Sequence, residues 1–202
     1  MHARTFWRQQ KSKGMGLLRT TYLECLGPPK GPAMKPPVPG LAVSTSTLSV
    51  DDYLDLFQAV GGPLGWDGRS KMSRKDLAAF LDRPTTDVFV LTANGIRAGF
   101  CELGRARPPD SEVVYFGLIP SMQGKRLGPY LLDTALRAHW REHAPDRIWL
   151  HTDVLDSASA VDTYKRAGFR VFAERFIDEE AEDDDYIAAL KTMPPALPPT
   201  RV

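Results

Sequence analysis

One segment of the chain passes from an apolar strand pattern through a glycine-containing turn directly into a long helix pattern. Residues 112–118 predict the strand, Pro120 follows it, and Gly124 and Gly128 lie in the turn. The helix is predicted by apolar residues that recur at helical spacing before Pro145, namely Leu127, Leu131, Leu132, Ala135, Leu136 and Trp140. Such a unit presents free backbone N–H groups at the positive end of the helix, so we predict a pyrophosphate site there.

The turn fits neither of two common phosphate-binding motifs. It lacks the Gly-x-x-x-x-Gly-Lys-Ser/Thr spacing of a P-loop and the Gly-x-Gly-x-x-Gly fingerprint of dinucleotide-binding proteins. Lys125 and Arg126 add positive charge beside the predicted N–H groups. The segment therefore predicts a phosphate-bearing ligand of another type.

The rest of the chain alternates strand patterns with helix patterns. Further strands are predicted at residues 17–26, 87–92, 96–102, 147–152, 169–177 and 186–193. Helices are predicted after Ser49, after Ser73 and at residues 158–166, whereas the six prolines of residues 27–40 predict a loop. Asn94-Gly95 is a favoured hairpin turn, so we expect the strands from residue 87 to residue 118 to be three successive antiparallel neighbours.

Composition limits the class of protein. The 202 residues carry a formal net charge of +1, so no overall excess of charge indicates a nucleic-acid or membrane partner. No apolar run approaches the length of a membrane helix, and the N-terminus lacks the apolar core of a signal peptide. Cys25 and Cys101 match no metal-binding or redox spacing, so we predict no metal site and a reduced, cytoplasmic protein.

The same features predict one domain at residues 15–193. A flexible basic arm is predicted at residues 1–14, which carry four basic and no acidic side chains, and a disordered proline-rich tail at residues 194–202. The acidic run at residues 178–185 is predicted to be a solvated connecting loop.

The turn before the long helix resembles motif A of the GNAT superfamily of N-acetyltransferases. That motif reads Gln/Arg-x-x-Gly-x-Gly/Ala and binds the pyrophosphate of acetyl-CoA. Gln123, Gly124, Leu127 and Gly128 fit the motif, whereas Arg126 stands where the middle glycine is usual.

A second segment strengthens the resemblance. Tyr164-Lys165-Arg166-Ala167-Gly168-Phe169 is similar to the Tyr-x-x-x-Gly-Phe segment of the same superfamily. Ala160 falls at the expected place on the preceding helix, and Ser157 replaces the asparagine that is common before it. The two motifs have the order and the separation of the family, which indicates that the match is specific.

The resemblance implies an α+β fold in three layers, with a mixed, mostly antiparallel sheet of six to seven strands flanked by about four helices. It implies acetyl-CoA as the cofactor, and its pantetheine arm is expected to pair with the backbone of Phe116, Gly117 and Leu118. The other residues that the resemblance assigns to the cofactor are Gln123, Gly124, Lys125, Arg126, Leu127, Gly128, Ser157 and Tyr164.

A general base is useful for such a reaction because an amine with a pKa near 10.4 is almost entirely protonated at pH 7, a cost of about 4.6 kcal/mol. Glu112 is the first candidate, because the family often has a catalytic glutamate at this position, and Glu102 is the second. His151 and Asp153 are further candidates on the strand after the long helix. Tyr164 corresponds to the general acid of the family.

The resemblance implies direct transfer of an acetyl group to a primary amine within a ternary complex. A small molecule is the predicted acceptor, and a protein lysine or N-terminus is the alternative. Another alternative is a non-catalytic acyl-CoA-binding module, since Arg126 and Ser157 depart from the family pattern. The region around Trp66 is expected to form a wall of the acceptor cleft. We expect a monomer or a homodimer, without a nucleic-acid or membrane partner.

Overall fold

Seven segments of alternating or continuous apolar residues pair into one mixed β-sheet in the computed structural model of the protein. The structure describes residues 17–45, 47–153, 156, 157 and 159–178. The predicted arm, the acidic run beyond Asp178, the predicted strand at residues 186–193 and the predicted tail lie outside the described residues. The strands are β1 (Leu17–Cys25), β2 (Leu41–Thr45), β3 (Thr86–Ala93), β4 (Ile96–Arg107), β5 (Asp110–Leu118), β6 (Arg147–Asp153) and β7 (Arg170–Asp178).

Four helices flank the sheet within the described part of the chain: α1 (Val50–Gly61), α2 (Arg74–Leu81), α3 (Leu127–His143) and α4 (Ala160–Arg166). The hydroxyls of Ser49 and Ser73 accept hydrogen bonds from the backbone N–H groups of Asp52 and Asp76. The two serines are therefore the N-caps of α1 and α2, and both helices begin where the sequence predicts. No helix among the described residues combines the length and the apolarity that a membrane span requires.

The strand order is β2-β3-β4-β5-β6-β1-β7, and only β5 and β6 are parallel neighbours. The predicted antiparallel series β3, β4 and β5 is confirmed. β2 is an edge strand that the sequence patterns do not predict, because its five residues follow the proline-rich loop and form too short a pattern. β1 lies between β6 and β7, far along the sheet from the β3–β4 hairpin.

The alternation of side chains along β3 produces three layers. Val88 and Val90 pack against α1 and α2, whereas Phe89 and Leu91 pack on the face that α3 and α4 cover. The predicted apolar stripe of α3 is buried against that second face, with Leu127, Leu131, Leu132, Ala135 and Leu136 almost fully shielded. The three-layer α+β class that the sequence predicted is therefore confirmed.

A polar cluster is buried where α3 crosses β3 and β5. Within this cluster His139 Nδ1 lies 2.8 Å from Asp87 Oδ2, and His139 Nε2 lies 2.8 Å from Ser111 Oγ. Burial lowers the pKa of His139 and outweighs the opposing effect of Asp87, so the imidazole is neutral at pH 7. Burial acts to raise the pKa of Asp87, but the hydrogen bond from His139 and the nearby cations hold it below its usual value.

A buried carboxylate holds β1 between its two neighbours. Glu24 on β1 is 1% exposed and accepts hydrogen bonds from Arg147 Nη1 on β6 at 3.3 Å and from Arg170 Nη2 on β7 at 2.9 Å. Arg147 also pairs with Asp110 at 2.7 Å. The Arg19–Glu174 pair joins β1 to β7 as well, but both of its side chains are about half exposed.

Replacing Glu24 with alanine is expected to lower the free energy of unfolding by about 3 kcal/mol, because Arg147 loses a buried partner although it keeps Asp110. Glu174→Ala is the matched control, since it removes an exposed ion pair between β1 and β7 and should cost less than about 1 kcal/mol. Urea denaturation of both variants measures the difference. Equal losses would show that the buried carboxylate contributes no more than a surface pair.

Candidate active site

The parallel strands β5 and β6 separate in the middle of the sheet. They pair only through Asp110–Arg147, Ser111–Ile148 and Glu112–Trp149, and among the described residues no pairing between them follows. β5 continues to Leu118, paired on its other side with β4. Along this pair Glu102 faces Tyr115 and Leu103 faces Val113, so Val114 is an extra residue that bends β5 as a β-bulge does.

A cavity of about 470 Å³ opens where the two strands separate. Its floor is the free edge of β5, and the turn before α3 closes one end of it. The end of β6 and the start of α4 form the opposite wall. The residues that the sequence assigned to the cofactor and that line this cavity are Phe116, Gly117, Leu118, Gln123, Gly124, Arg126, Leu127, Gly128, Ser157 and Tyr164.

Lys125 is the one predicted cofactor residue that does not line the cavity. Its Nζ donates to the carbonyl of Ser121 at 3.0 Å on the exposed side of the turn. The positive charge of Lys125 is therefore close to the cavity, but the side chain points to the outside of the turn.

The turn before α3 lines the cavity through Gln123, Gly124 and Arg126. Gly124 and Arg126 have positive φ angles of 76° and 59°, and Gln123 Nε2 anchors the turn by donating to the carbonyl of Leu118 at 3.2 Å. The N–H groups of Gly124, Lys125 and Arg126 have no hydrogen-bond acceptor within the part of the chain that the structure describes. The first N–H groups of α3 have no partner inside the helix, so the turn can bind an oxyanion.

Arg126 adopts the left-handed conformation at the position where motif A usually has a glycine. Its φ of 59° and ψ of 18° are those of a left-handed residue, and it is the N-cap residue of α3. An arginine therefore keeps the backbone path of the motif at the cost of some strain. Because the side chain is exposed, the substitution does not fill the cavity.

Tyr164 is placed at the inner wall by the end of α4. Gly168, with a φ of 101°, ends the helix, and the N–H of Phe169 returns to the carbonyl of Tyr164 at 3.1 Å. The ring of Tyr164 packs against Phe116 and Phe169, with centroids 5.8 Å and 5.9 Å away. Burial raises the pKa of Tyr164, and Asp156 and Cys101 add to the rise, so the hydroxyl stays protonated.

His151 and Glu112 lie together at the point where the strands separate. His151 Nδ1 is 3.7 Å from Glu112 Oε1, and the two side chains are 36% and 23% exposed. His151 lines the cavity, whereas Glu112 does not and lies next to the histidine. Asp153 lines the cavity two residues further along β6.

Glu102, the second candidate for a general base, lies in the core instead. It is fully buried, accepts a short hydrogen bond from the hydroxyl of Tyr53, and pairs with Arg69 Nη2 at 2.6 Å. Arg69 in turn stacks over the ring of Phe80 at 3.9 Å. Glu102 does not line the cavity. Its carboxylate is therefore engaged in joining α1 and the segment before α2 to the sheet.

The third wall of the cavity consists of Val60, Leu64 and Trp66, which follow one another around the end of α1. The Trp66 ring lies 5.0 Å from that of Tyr115. A Cβ on Gly117 would lie 2.5 Å from Val60 Cγ1, so this glycine allows α1 to approach β5 closely.

Several lining residues were not predicted. Tyr115, Val60 and Thr163 belong to no motif. Val60 reaches the cavity through packing that is not local in the sequence, whereas Tyr115 and Thr163 directly precede the predicted residues Phe116 and Tyr164. Asp156 accepts a hydrogen bond from the hydroxyl of Thr152 at 2.7 Å and also lines the cavity, and its position one residue before Ser157 was the only local signal.

Comparison with known families agrees with this geometry. The sequence model of the acetyltransferase (GNAT) family matches residues 53–169, which is more than half of the chain. The chain therefore belongs to the GNAT acetyltransferase family. Among curated proteins, none matches the chain by sequence.

Solved structures share the fold. A GCN5-related N-acetyltransferase from Sphaerobacter thermophilus superposes with a TM-score of 0.58 at 18% identity, over 86% of this chain and 55% of that one. Another from Kribbella flavida gives a TM-score of 0.58 at 16% identity, over 89% and 65% of the two chains. This chain thus spans less than two thirds of the length of these two relatives.

A smaller relative is covered more completely. An aminoglycoside acetyltransferase from an uncultured soil metagenomic sample matches with a TM-score of 0.54 at 15% identity, over 63% of this chain and 87% of that one. At these identities the likeness establishes the fold and leaves the acceptor open.

The left-handed conformation of Arg126 leads to a stability prediction. Arg126→Gly and Arg126→Val remove the same charge, but only glycine adopts a positive φ freely. We expect the glycine variant to stay within about 1 kcal/mol of wild type, because relief of backbone strain offsets the greater freedom of the unfolded chain. The valine variant should lose about 2 kcal/mol, since β-branched residues strongly disfavour positive φ. Chemical denaturation compares them, and equal stabilities would contradict the left-handed conformation.

Proposed function

We propose that this protein transfers an acetyl group from acetyl-CoA to a small-molecule primary amine, directly within a ternary complex. The observation that supports this most strongly is the separation of β5 from β6 after Glu112, because it leaves a free strand edge that leads to the N–H groups before α3. Family membership supports the reaction class.

The residues present fit the coenzyme in two ways. The N–H groups of Gly124, Lys125 and Arg126 are suited to diphosphate oxygens, because they lie at the positive end of α3. From Phe116 to Leu118, the edge of β5 opposite β4 pairs with no described strand, and its backbone groups suit the amide groups of a pantetheine arm. When bound, acetyl-CoA supplies the activated thioester.

We assign the general base to His151, with Glu112 as a positioning residue. His151 lines the cavity, and Glu112 Oε1 lies 3.7 Å from its Nδ1. The interaction with Glu112 at Nδ1 orients the ring, and Nε2 is the nitrogen that we propose takes a proton from the acceptor amine, directly or through one water. The carboxylate also stabilises the imidazolium that forms when the amine is deprotonated.

We assign to Tyr164 the role of stabilising the thiolate leaving group. Because its pKa is raised by burial, its hydroxyl stays protonated and can donate a hydrogen bond to the sulfur as negative charge develops there. A coenzyme thiol has a pKa close to that of cysteine, about 8.5, so the thiolate needs stabilisation more than a complete proton transfer.

The lining of the cavity supports a small acceptor. Val60, Leu64 and Trp66 give the cavity that His151 lines an apolar wall, which suits the hydrocarbon part of a small amine. The aminoglycoside acetyltransferase that shares the fold acts on a small molecule, as its name states, and supports the same class of acceptor.

The first test is turnover. With acetyl-CoA and a panel of amines, we expect free thiol to appear and an acetylated amine to be found by mass spectrometry. Tyr164→Phe should lower kcat by about 100-fold with little change in KM for acetyl-CoA. Tyr130→Phe is the matched control, because Tyr130 is buried on α3 outside the cavity and its loss should leave kcat unchanged. Coenzyme binding without turnover for any amine would count against the proposal.

A double-mutant cycle tests the assignment of the base. We expect His151→Gln to lower kcat/KM by about 100-fold and Glu112→Gln by about tenfold. The double variant should be no slower than His151→Gln, because Glu112 acts through the histidine. If Glu112→Gln costs more than His151→Gln, or if the two losses add, Glu112 is itself the base.

A further inference from the structure

The polar cluster at the far end of α3 brings three metal-binding side chains together. His139 and His143 are four residues apart on the same face of α3, with ring centroids 4.6 Å apart. Asp87 on β3 faces both, and one ligand atom from each residue lies within 4.8 Å of the others. About 24 Å of helix separates His143 from the start of α3, so this cluster is distinct from the acyltransferase cavity.

The hydrogen bonds at His143 are in conflict. Its Nε2 lies 2.9 Å from Asp87 Oδ2, which is an acceptor, and also makes a short contact with Arg105 Nη1, which is a donor only. If His143 Nε2 carries a proton, that proton faces an N–H group of Arg105. If Nε2 carries no proton, its lone pair faces the carboxylate of Asp87. One nitrogen cannot satisfy both neighbours.

A divalent cation between the three residues removes this conflict, since it accepts lone pairs from both nitrogens and from the carboxylate. We propose that Asp87, His139 and His143 form a binding site for a divalent transition metal, with Zn²⁺ as the ion that best suits two imidazoles and a carboxylate. Tetrahedral Zn²⁺ places neighbouring ligand atoms about 3.4 Å apart. The observed separations of 2.8 Å and 2.9 Å from Asp87 Oδ2 are shorter than this value, so the two rings and the carboxylate must move apart by about half an ångström to admit the ion.

Ser111 completes the arrangement around His139. Without an ion, Nδ1–H of His139 donates to Asp87 and Nε2 accepts from the hydroxyl of Ser111. When an ion binds, the ring proton moves to Nε2, which donates to Ser111 Oγ 2.8 Å away, and the lone pair of Nδ1 faces the ion. Metal-binding histidines regularly donate their second N–H in this way, which fixes the ring. Asp87 and His143 are each about one fifth exposed, so an ion can reach the site from solvent.

The hydrogen bonds that connect Ser111 to His139 and His139 to Asp87 also resemble those of a Ser-His-Asp catalytic triad. Ser111 is 1% exposed and His139 is 0% exposed, so no substrate can reach the hydroxyl. Burial therefore favours an ion-binding role over a nucleophile for this cluster.

Arg105 acts as the competing cation in this proposal. Its Nη1 lies 3.0 Å from Asp87 Oδ2, while its Nη2 donates to the carbonyl of Pro84. When an ion binds, the Arg105 guanidinium loses its ion pair with Asp87 and keeps its hydrogen bond to the carbonyl of Pro84. Removal of its charge should therefore strengthen metal binding, whereas removal of a ligand should weaken it.

The test is calorimetric titration of the chelator-treated full chain with ZnCl₂, followed by Co²⁺ absorption as a probe of tetrahedral coordination. We expect one equivalent of Zn²⁺ per chain, at least tenfold weaker binding for His143→Gln, and tighter binding for Arg105→Gln. Glu142→Gln is the matched control, since it removes an exposed charge from the same helical turn and should change nothing.

His143 is partly exposed at a helix end, so its variant should remain folded, and circular dichroism verifies this. Three results would overturn the proposal: no Zn²⁺ bound by the wild type, the same affinity in His143→Gln, or weaker binding in a folded Arg105→Gln. None of these results bears on acetyl transfer, because the two sites lie at opposite ends of α3.

Discussion

Among the described residues, β5 and β6 do not pair after Glu112, and the rest of the candidate active site depends on this separation. Backbone N–H and C=O groups inside a protein need partners, so a free strand edge in the interior of a sheet is normally unfavourable. Here the bulge at Val114 bends β5, and the part of β5 beyond Glu112 lines the cavity. The separation of the two strands thus creates the cavity that we propose as the coenzyme site.

A sheet that is nearly divided needs other connections between its halves. The strands β2 to β5 form one half, and β6, β1 and β7 form the other, with three register pairs between them. The Arg147–Asp110 ion pair at 2.7 Å reinforces the paired end. α3 packs across the interior with Leu131 and Leu136 fully buried, so it supports the strands and also carries the turn at their open end.

Local signals were sufficient for much of the fold and for the binding turn. Asn94-Gly95 predicted the β3–β4 hairpin, and the apolar stripe of α3 predicted the helix, because both signals depend on neighbours in the sequence. The position of β1 between β6 and β7 was not predictable, since it depends on pairing with strands more than 120 residues away.

The same distinction applies to the candidate catalytic residues. Glu102 and Glu112 are similar strand carboxylates in the sequence, yet only the folded chain brings Tyr53 and Arg69 to one and His151 to the other. Likewise His139 and His143 have a recognisable spacing, but Asp87 joins them from 52 residues away. The spacing in the sequence therefore indicated which side chains are candidates for catalysis or metal binding. The neighbours that determine the role of each side chain depend on tertiary packing.

The three longer helices among the described residues differ at their N-termini in a way that bears on the proposed ligand. α1 and α2 each begin with a serine cap and carry aspartates in the first turn, which satisfy the free N–H groups and the positive end of the helix dipole. α3 begins with no side-chain cap and no acidic residue, and Lys125 and Arg126 add positive charge just before it. Such a start is electrostatically unfavourable alone and becomes favourable when an anion binds, because oxyanions supply both the missing acceptors and the missing negative charge. The start of the longest helix in the described chain therefore suits the phosphate-bearing ligand that we propose, because its own side chains do not cap it.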